Sequence, residues 1–430
     1  RETGSETYQA WKVPKIEPTY QQQLSGKFHR VSTNLQPRLH RYQHTACITC
    51  TATVKGGRGD NCTSSAMGIN SSINAFSLDL FRTLSRANPS GNMLVSPLSI
   101  RSALAMVYLG ARGETAAQME KALSYFFGVV IHAEFKKLFE DINSTSGSYV
   151  LKTANRLYGD NTEKFLTQYR EAMPKYYQAD LKTVDFIGAL EASRKEINTW
   201  VEQQHRQLVL VNAIYLKADW KNLFNKAQTK GMPFKVSQNE SKPVQMMIQM
   251  KKLPYNYIPE YGLQILELPF MEEELSMFIL LPKQSSDGYD PLLKLEKELT
   301  LERLNEWTDR GNMDVQSEIL VHLPKFKLEE DYEMKGFLSE LGMKDVFRAS
   351  EADLSGMNGG RDLFLSTVAH KAIMSVSEQG IEAAGATGPP GNRSSMLRGE
   401  PFTADHPFLF YIRHNKTQTI FFLGRFVSPQ

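Results

Sequence analysis

Cysteine is nearly absent from this chain. Three occur in 430 residues, Cys47, Cys50 and Cys62, and all lie among the first 66. The remainder can hold no disulfide, which fits a reducing compartment or indifference to redox. Long apolar runs are missing too. No stretch of 18 apolar residues occurs, which excludes a membrane-spanning helix. The longest apolar blocks, Leu208–Ile214 and Phe408–Ile412, are strand-sized. Neither sign of charge dominates: 50 Lys and Arg stand against 47 Asp and Glu, a net charge of +3. Residues 1–66 hold 9 basic against 4 acidic residues, and residues 67–430 hold 41 against 43. The body thus carries no basic footprint for nucleic acid. It also has no G-x-S-x-G elbow, H-E-x-x-H or P-loop, so it bears no common hydrolase signature.

What is present divides at residue 66. The first part is rich in Gln, Thr, Ser and Gly and has no sustained period, so it reads as a poorly folded extension. The chain begins with Arg1, and Met67 reads as a start of translation. Cys47-Ile-Thr-Cys50 is half of a zinc-site spacing, with His44 and Cys62 as further ligands, but no second close pair completes it, so no metal or cofactor is expected. Arg58-Gly59-Asp60 is a tripeptide that arises readily by chance. Asn-x-Ser/Thr sequons stand at Asn61, Asn70, Asn143, Asn239, Asn392 and Asn415. The N-terminus lacks the basic, then apolar, then small pattern of a secretory leader. The sequons are therefore expected to go unused, in a cytoplasmic protein that damaged cells can release.

Residues 67–430 alternate helices and strands in an α+β pattern. Phe76, Leu80, Phe81 and Leu84 repeat at helical spacing over Asn74–Leu84. Ser96-Pro97 opens another helix, with Ser as cap and Pro in the first turn. Thr115-x-x-Gln118 has the form of a capping box. Ile197, Trp200 and Val201 give a stripe to a helix ending near Gln204. Leu208–Leu216 is almost wholly apolar and predicts a strand covered on both faces, with Asn212 as a buried amide in need of partners. Further strands are expected at Leu263–Leu268, Leu275–Leu281, Ile319–Leu323 and Leu363–Val376. A helix is expected at Met334–Leu341, and a buried hairpin from Phe408–Ile412 and Ile420–Leu423.

One segment does not fit a packed core. Gly380–Pro401 reads GIEAAGATGPPGNRSSMLRGEP, 22 residues between a strand and the terminal hairpin. A connection of that length in a compact domain is functional or disordered.

Four segments, in order, resemble the serpin family, and within it the intracellular ovalbumin-like group. Asn92–Ile100 is similar to the entry of that family's second helix. Leu210–Lys217 followed by Trp220 is similar to the central strand of its largest sheet. Glu378-x-Gly380-x-Glu382-Ala-Ala-Gly-Ala-Thr387 resembles the hinge of an inhibitory reactive loop, and Phe402–Phe410 the C-terminal signature. The resemblance implies a serpin fold: several helices on a large mixed main sheet, two further β-sheets and an exposed reactive-centre loop. It implies a suicide inhibitor of proteases, not an enzyme. A serine or cysteine protease attacks the loop, forms an acyl-enzyme, and is trapped when the loop inserts into the main sheet. Elastase-like or trypsin-like proteases are the expected partners, and the inhibitor is expected to be a monomer.

The hinge residues suit insertion. Ala383, Ala384, Gly385 and Ala386 are small, and alternation puts Ile381, Ala383, Gly385 and Thr387 on one face and Glu382 on the other. Spacing within the ovalbumin-like group places the reactive bond at Ser394–Ser395; Arg393–Ser394 is the alternative, suited to a trypsin-like pocket. Ser96, Ser99, Asn212 and His370 match a polar cluster where the main sheet parts. Trp220 and Glu378 match the top of that sheet, where the loop enters.

Three departures from the family pattern favour a second reading, a serpin that does not inhibit and serves as substrate or binding protein. Pro389 and Pro390 fall in the inserting part and remove two ladder bonds, roughly 1 kcal/mol each. That should slow or shorten insertion rather than forbid it. Ile381 replaces a small hydroxyl residue. Only His205, Arg206 and Gln207 join Gln204 to Leu208, where the family has a long connection. The helix must therefore unwind or the strand start late.

Overall fold

The computed structural model describes residues 68–125, 130–144, 147–160, 162–184, 207–284, 290–381 and 399–429. All of these lie in one unit, Ser65–Gln430. Its first helices are α1 (Ile69–Ala87), α2 (Pro97–Gly110), α3 (Gly113–Ala122), α4 (Val130–Asn143) and α5 (Thr167–Tyr177). The strands begin with β1 (Met93–Val95), β2 (Tyr149–Asp160), β3 (Asp180–Val184), β4 (Gln207–Asp219), β5 (Lys230–Lys235) and β6 (Ser241–Lys252). Next come β7 (Tyr255–Ile258), β8 (Leu263–Pro269), β9 (Leu275–Pro282), β10 (Glu318–Pro324) and β11 (Phe326–Glu333). The last five are β12 (Phe364–Val376), β13 (Gly380–Ile381), β14 (Glu400–Thr403), β15 (Phe408–His414) and β16 (Thr419–Phe426).

The strands form three sheets. The main sheet is ordered β11-β12-β13-β4-β2-β3 and is mixed. A second sheet, β1-β16-β15-β9-β8-β7, is antiparallel throughout; a third runs β14-β10-β6-β5. The expected hairpin is β15 and β16. Every residue of both strands and of β9 is buried, which is why their sequences read as unbroken apolar blocks rather than alternating ones.

Helix α2 has no solvent face: every residue except Leu109 is buried, the polar Ser99, Arg101 and Ser102 included. Leu98, Ile100, Ala103, Leu104, Ala105, Met106 and Val107 are all buried. It packs against β16, β4 and β2, and so ties the main sheet to the second one. Ser96 caps it as expected: its Oγ accepts from the Ser99 N–H at 3.4 Å.

Two expectations are corrected, and one of two alternatives near Gln204 is closed. Thr115 and Gln118 form no capping box, because α3 starts at Gly113 after Arg112. Tertiary contacts claim both side chains. The Thr115 hydroxyl accepts from the Asp353 N–H, and the Gln118 carbonyl from the N–H groups of Lys344 and Asp345. Strand β4 is not covered equally on both faces. Leu208, Leu210, Asn212, Ile214, Leu216 and Ala218 are buried on the α2 side, whereas Val209, Val211, Ala213 and Tyr215 are half-buried. Nor does β4 start late. It begins at Gln207, which pairs with Phe364 of β12. The helix expected to end near Gln204 lies outside the described residues.

Candidate functional site

The main sheet parts between β12 and β4. These strands pair in parallel from Phe364–Gln207 up to Ala372–Ile214, and the ladder stops there. Above the gap, β13 stands between them. Ile381 pairs with Val376 of β12 on one side and with Ala218 of β4 on the other. The chain therefore turns back on itself after Val376 and lays its next residues into the sheet. Gly380 permits this turn. Its φ is +147°, and a Cβ there would stand 2.0 Å from the Ala218 carbonyl oxygen. The Ile381 side chain is fully buried.

The segment after β4 holds this turn by its backbone. Trp220 N–H donates to Gln379 O at 2.7 Å and Phe224 N–H to Glu378 O at 2.9 Å. The Trp220 indole donates to Ser377 O at 2.9 Å and stacks on Phe270, centroids 4.5 Å apart. Glu378 is buried, pairs with Lys325 at 3.1 Å and accepts from the Thr229 hydroxyl at 3.0 Å. Burial opposes the charge on this carboxylate, and a backbone hydrogen bond together with Lys325 and Thr229 holds it below the usual glutamate range.

Two residues below the end of the ladder, His370 and Asn212 stand opposite each other. The Ser96 N–H donates to His370 Nε2 at 3.2 Å, so Nε2 is the acceptor and the proton sits on Nδ1, which donates to Asn212 Oδ1. The Asn212 amide in turn donates to Ser99 Oγ at 2.5 Å and to Asn155 Oδ1. Asn155 donates to Ser102 Oγ at 3.1 Å, and Ser102 donates to Ser99 O at 2.9 Å. Ser96 Oγ donates to Phe421 O at 2.6 Å. Desolvation holds the His370 imidazole down to a pKa of about 3, so it is neutral. The network joins α2, β2, β4, β12 and β16 through hydrogen bonds that a sliding of β4 past β12 must break.

The structure thus brings Ser96, Ser99, Asn212 and His370 together, and separately Trp220, Glu378, Gly380 and Ile381. Glu382, Ala383, Ala384, Gly385, Ala386, Thr387, Arg393, Ser394 and Ser395 lie outside the described residues, as do Pro389 and Pro390. Asn155 and Ser102 were missed by sequence reasoning. The one available signal for Asn155 is a polar residue in an otherwise unremarkable strand, and nothing in the sequence pairs it with Asn212.

Known proteins give the same picture. The family described as "Serpin (serine protease inhibitor)" matches residues 71–429. Leukocyte elastase inhibitor of Equus caballus is 48% identical over 370 residues, covering 82% of this chain and 97% of that protein. Its Homo sapiens counterpart is 47% identical over 377 residues, covering 84% and 99%. Among solved structures, uncleaved ovalbumin superimposes with a TM-score of 0.74 at 34% identity, over 84% of this chain and all of that one. A family match over nearly the whole folded unit, near-half identity to full-length relatives and a shared fold lead to one conclusion: this chain belongs to the serpin family.

Proposed function

We propose that this serpin inhibits serine proteases as a suicide substrate. The observation that carries the reading is β13. The residues that open the loop already occupy the slot between β12 and β4, antiparallel to both. Continuing that strand downward extends it into the interval where the ladder between β12 and β4 has stopped. In the proposed cycle the protease serine Oγ attacks the carbonyl carbon of Ser394, or of Arg393 in the alternative. The scissile C–N bond breaks, the new amine leaves with a proton, and an acyl ester remains. The freed strand then inserts, gaining roughly ten ladder bonds at about 1 kcal/mol each, and carries the esterified protease with it. The relatives' name, leukocyte elastase inhibitor, supports an elastase-like target; Arg393 supports a trypsin-like one. Thiol proteases can enter the same cycle through a thioester. A monomer suffices for it, and the resemblance to the intracellular group supports a cytoplasmic protein, with extracellular action after release.

Pro389 and Pro390 favour the second reading, cleavage without trapping, because each withholds a ladder N–H from the inserting strand. Incubation with elastase-, trypsin- and chymotrypsin-like proteases separates the two. Inhibition gives a covalent adduct that survives denaturing electrophoresis, whereas the second reading gives clean cleavage and no adduct. Arg393→Ala should abolish a trypsin adduct if Arg393 precedes the bond, and leave an elastase adduct if Ser394 does. Nicked protein should melt well above intact protein; equal melting temperatures would remove the proposed driving force.

A further inference from the structure

Lysine is concentrated in one segment. Lys217–Lys252 carries eight lysines, at 217, 221, 226, 230, 235, 242, 251 and 252, and two acidic residues, Asp219 and Glu240. The rest of residues 67–430 holds 33 basic against 41 acidic residues. The local excess is therefore set against an acidic body.

The fold places part of this excess beside the root of the loop. Residues 220–229 hold residues 378–379 through Trp220, Phe224 and Thr229, as described above. Lys221, Lys226 and Lys230 lie on or next to that span, and all three are exposed. Lys230 opens β5, the outer edge strand of the third sheet. Internal carboxylates neutralise some of the neighbourhood. Lys221 pairs with Glu273, which Arg310 also holds at 2.9 Å; Lys235 pairs with Asp405 at 3.6 Å and Lys325 with Glu378 at 3.1 Å. Lys226 and Lys230 make no ion pair among the described residues. Their charge is free to act outward.

We propose that Lys226 and Lys230 form a docking surface for an acidic patch on the attacking protease. A protease drawn to the loop enters the field of these two lysines, which lie in the chain on or next to the span that holds residues 378–379. Exposed charges so placed act mainly on the rate of encounter, which rises with opposite charge and falls with salt. The proposal rests on the reading that a serine protease attacks the loop. It adds a preference among proteases that share one specificity pocket.

Two trypsins of opposite net charge, the anionic and the cationic isoform, provide the test, since both cleave after arginine. Loop cleavage and adduct formation are followed separately, at about 20 mM and about 0.5 M salt, on either side of strong screening. The anionic isoform should cleave about tenfold faster at low salt, and the gap should close at high salt. The double variant Lys226→Glu/Lys230→Glu should abolish or reverse the gap. Lys121→Glu/Lys344→Glu, with the same change in net charge elsewhere, should leave it intact. Equal rates for the two isoforms, no cleavage by either, or a gap that survives the first variant overturns the proposal. So does weaker retention of that variant on immobilised heparin with trypsin rates unchanged, which would mark a surface for polyanions instead. Cleavage by both isoforms without adduct would defeat the inhibitory reading and leave the rate comparison valid.

Discussion

His370 of β12 donates from Nδ1 to Asn212 of β4, directly across the parallel ladder and two pairs below the point where the strands separate. The same ring accepts the Ser96 N–H at Nε2. A second proton on that ring would turn the acceptor into a donor facing another donor. The cluster is therefore built for neutral histidine only.

That geometry sets a pH dependence. His370 has a pKa of about 3 in the fold against 6.5 when unfolded. Between these values the unfolded chain binds the proton and the folded chain does not, so stability is complete above about pH 6.5 and declines as the pH falls. The slope assigned to one such group approaches 1.4 kcal/mol per pH unit. His132, held down to about 4 by burial, adds to it in the same direction. Urea unfolding of wild type and His370→Gln from pH 7.5 to 4.5 checks this. The variant should be less stable at pH 7.5 and show a shallower decline.

Asn155 supplies a prediction from outside the expected cluster. It accepts from Asn212 and donates to Ser102 with its side chain buried. Asn155→Ala leaves an Asn212 N–H and the Ser102 hydroxyl each short of a partner, which should cost about 1–3 kcal/mol. Equilibrium unfolding in urea measures it. A change near zero would mean that the Asn155 side chain adds nothing to the backbone ladder that already joins β2 to β4.

Gly380→Ala tests the turn that feeds β13. A methyl group would meet the Ala218 carbonyl at 2.0 Å in a backbone conformation that alanine avoids. The expected result is expulsion of residues 380–381 from the slot, seen as faster amide exchange at Ile381 and Ala218. Ile381→Ala should act more gently, by about 2 kcal/mol, through lost burial alone.

The Glu378–Lys325 pair should matter out of proportion to its exposure. The Lys325 side chain is 43% exposed, but Glu378 is 6% exposed and depends on it. Lys325→Met leaves the buried carboxylate with hydrogen bonds from Thr229 and the backbone but no countercharge, and should cost about 1–2 kcal/mol after solvent screening. Lower thermal stability and faster exchange over Ser377–Ile381 are expected. Glu378→Gln should be milder than Lys325→Met, because it removes the buried charge along with the pair.

The sequence by itself determined the strands and helices that satisfy local rules. Apolar blocks gave β9, β15 and β16, and Ser96-Pro97 gave the start of α2, because period and capping act within a few residues. Motif order also pointed to the family, and the resemblance, residue by residue, implied the Ser96–His370 cluster. Only the tertiary structure decided which residues meet. Thr115 and Gln118 look like a cap and instead serve distant backbone groups, since Asp353 and Lys344 come to them from more than 200 residues away. Asn155 joins the cluster because β2 pairs with β4 in one register, Asn155 opposite Asn212. The entry of Ile381 between two strands likewise depends on a gap that no local pattern encodes, because strand separation arises from how long-range ladders end.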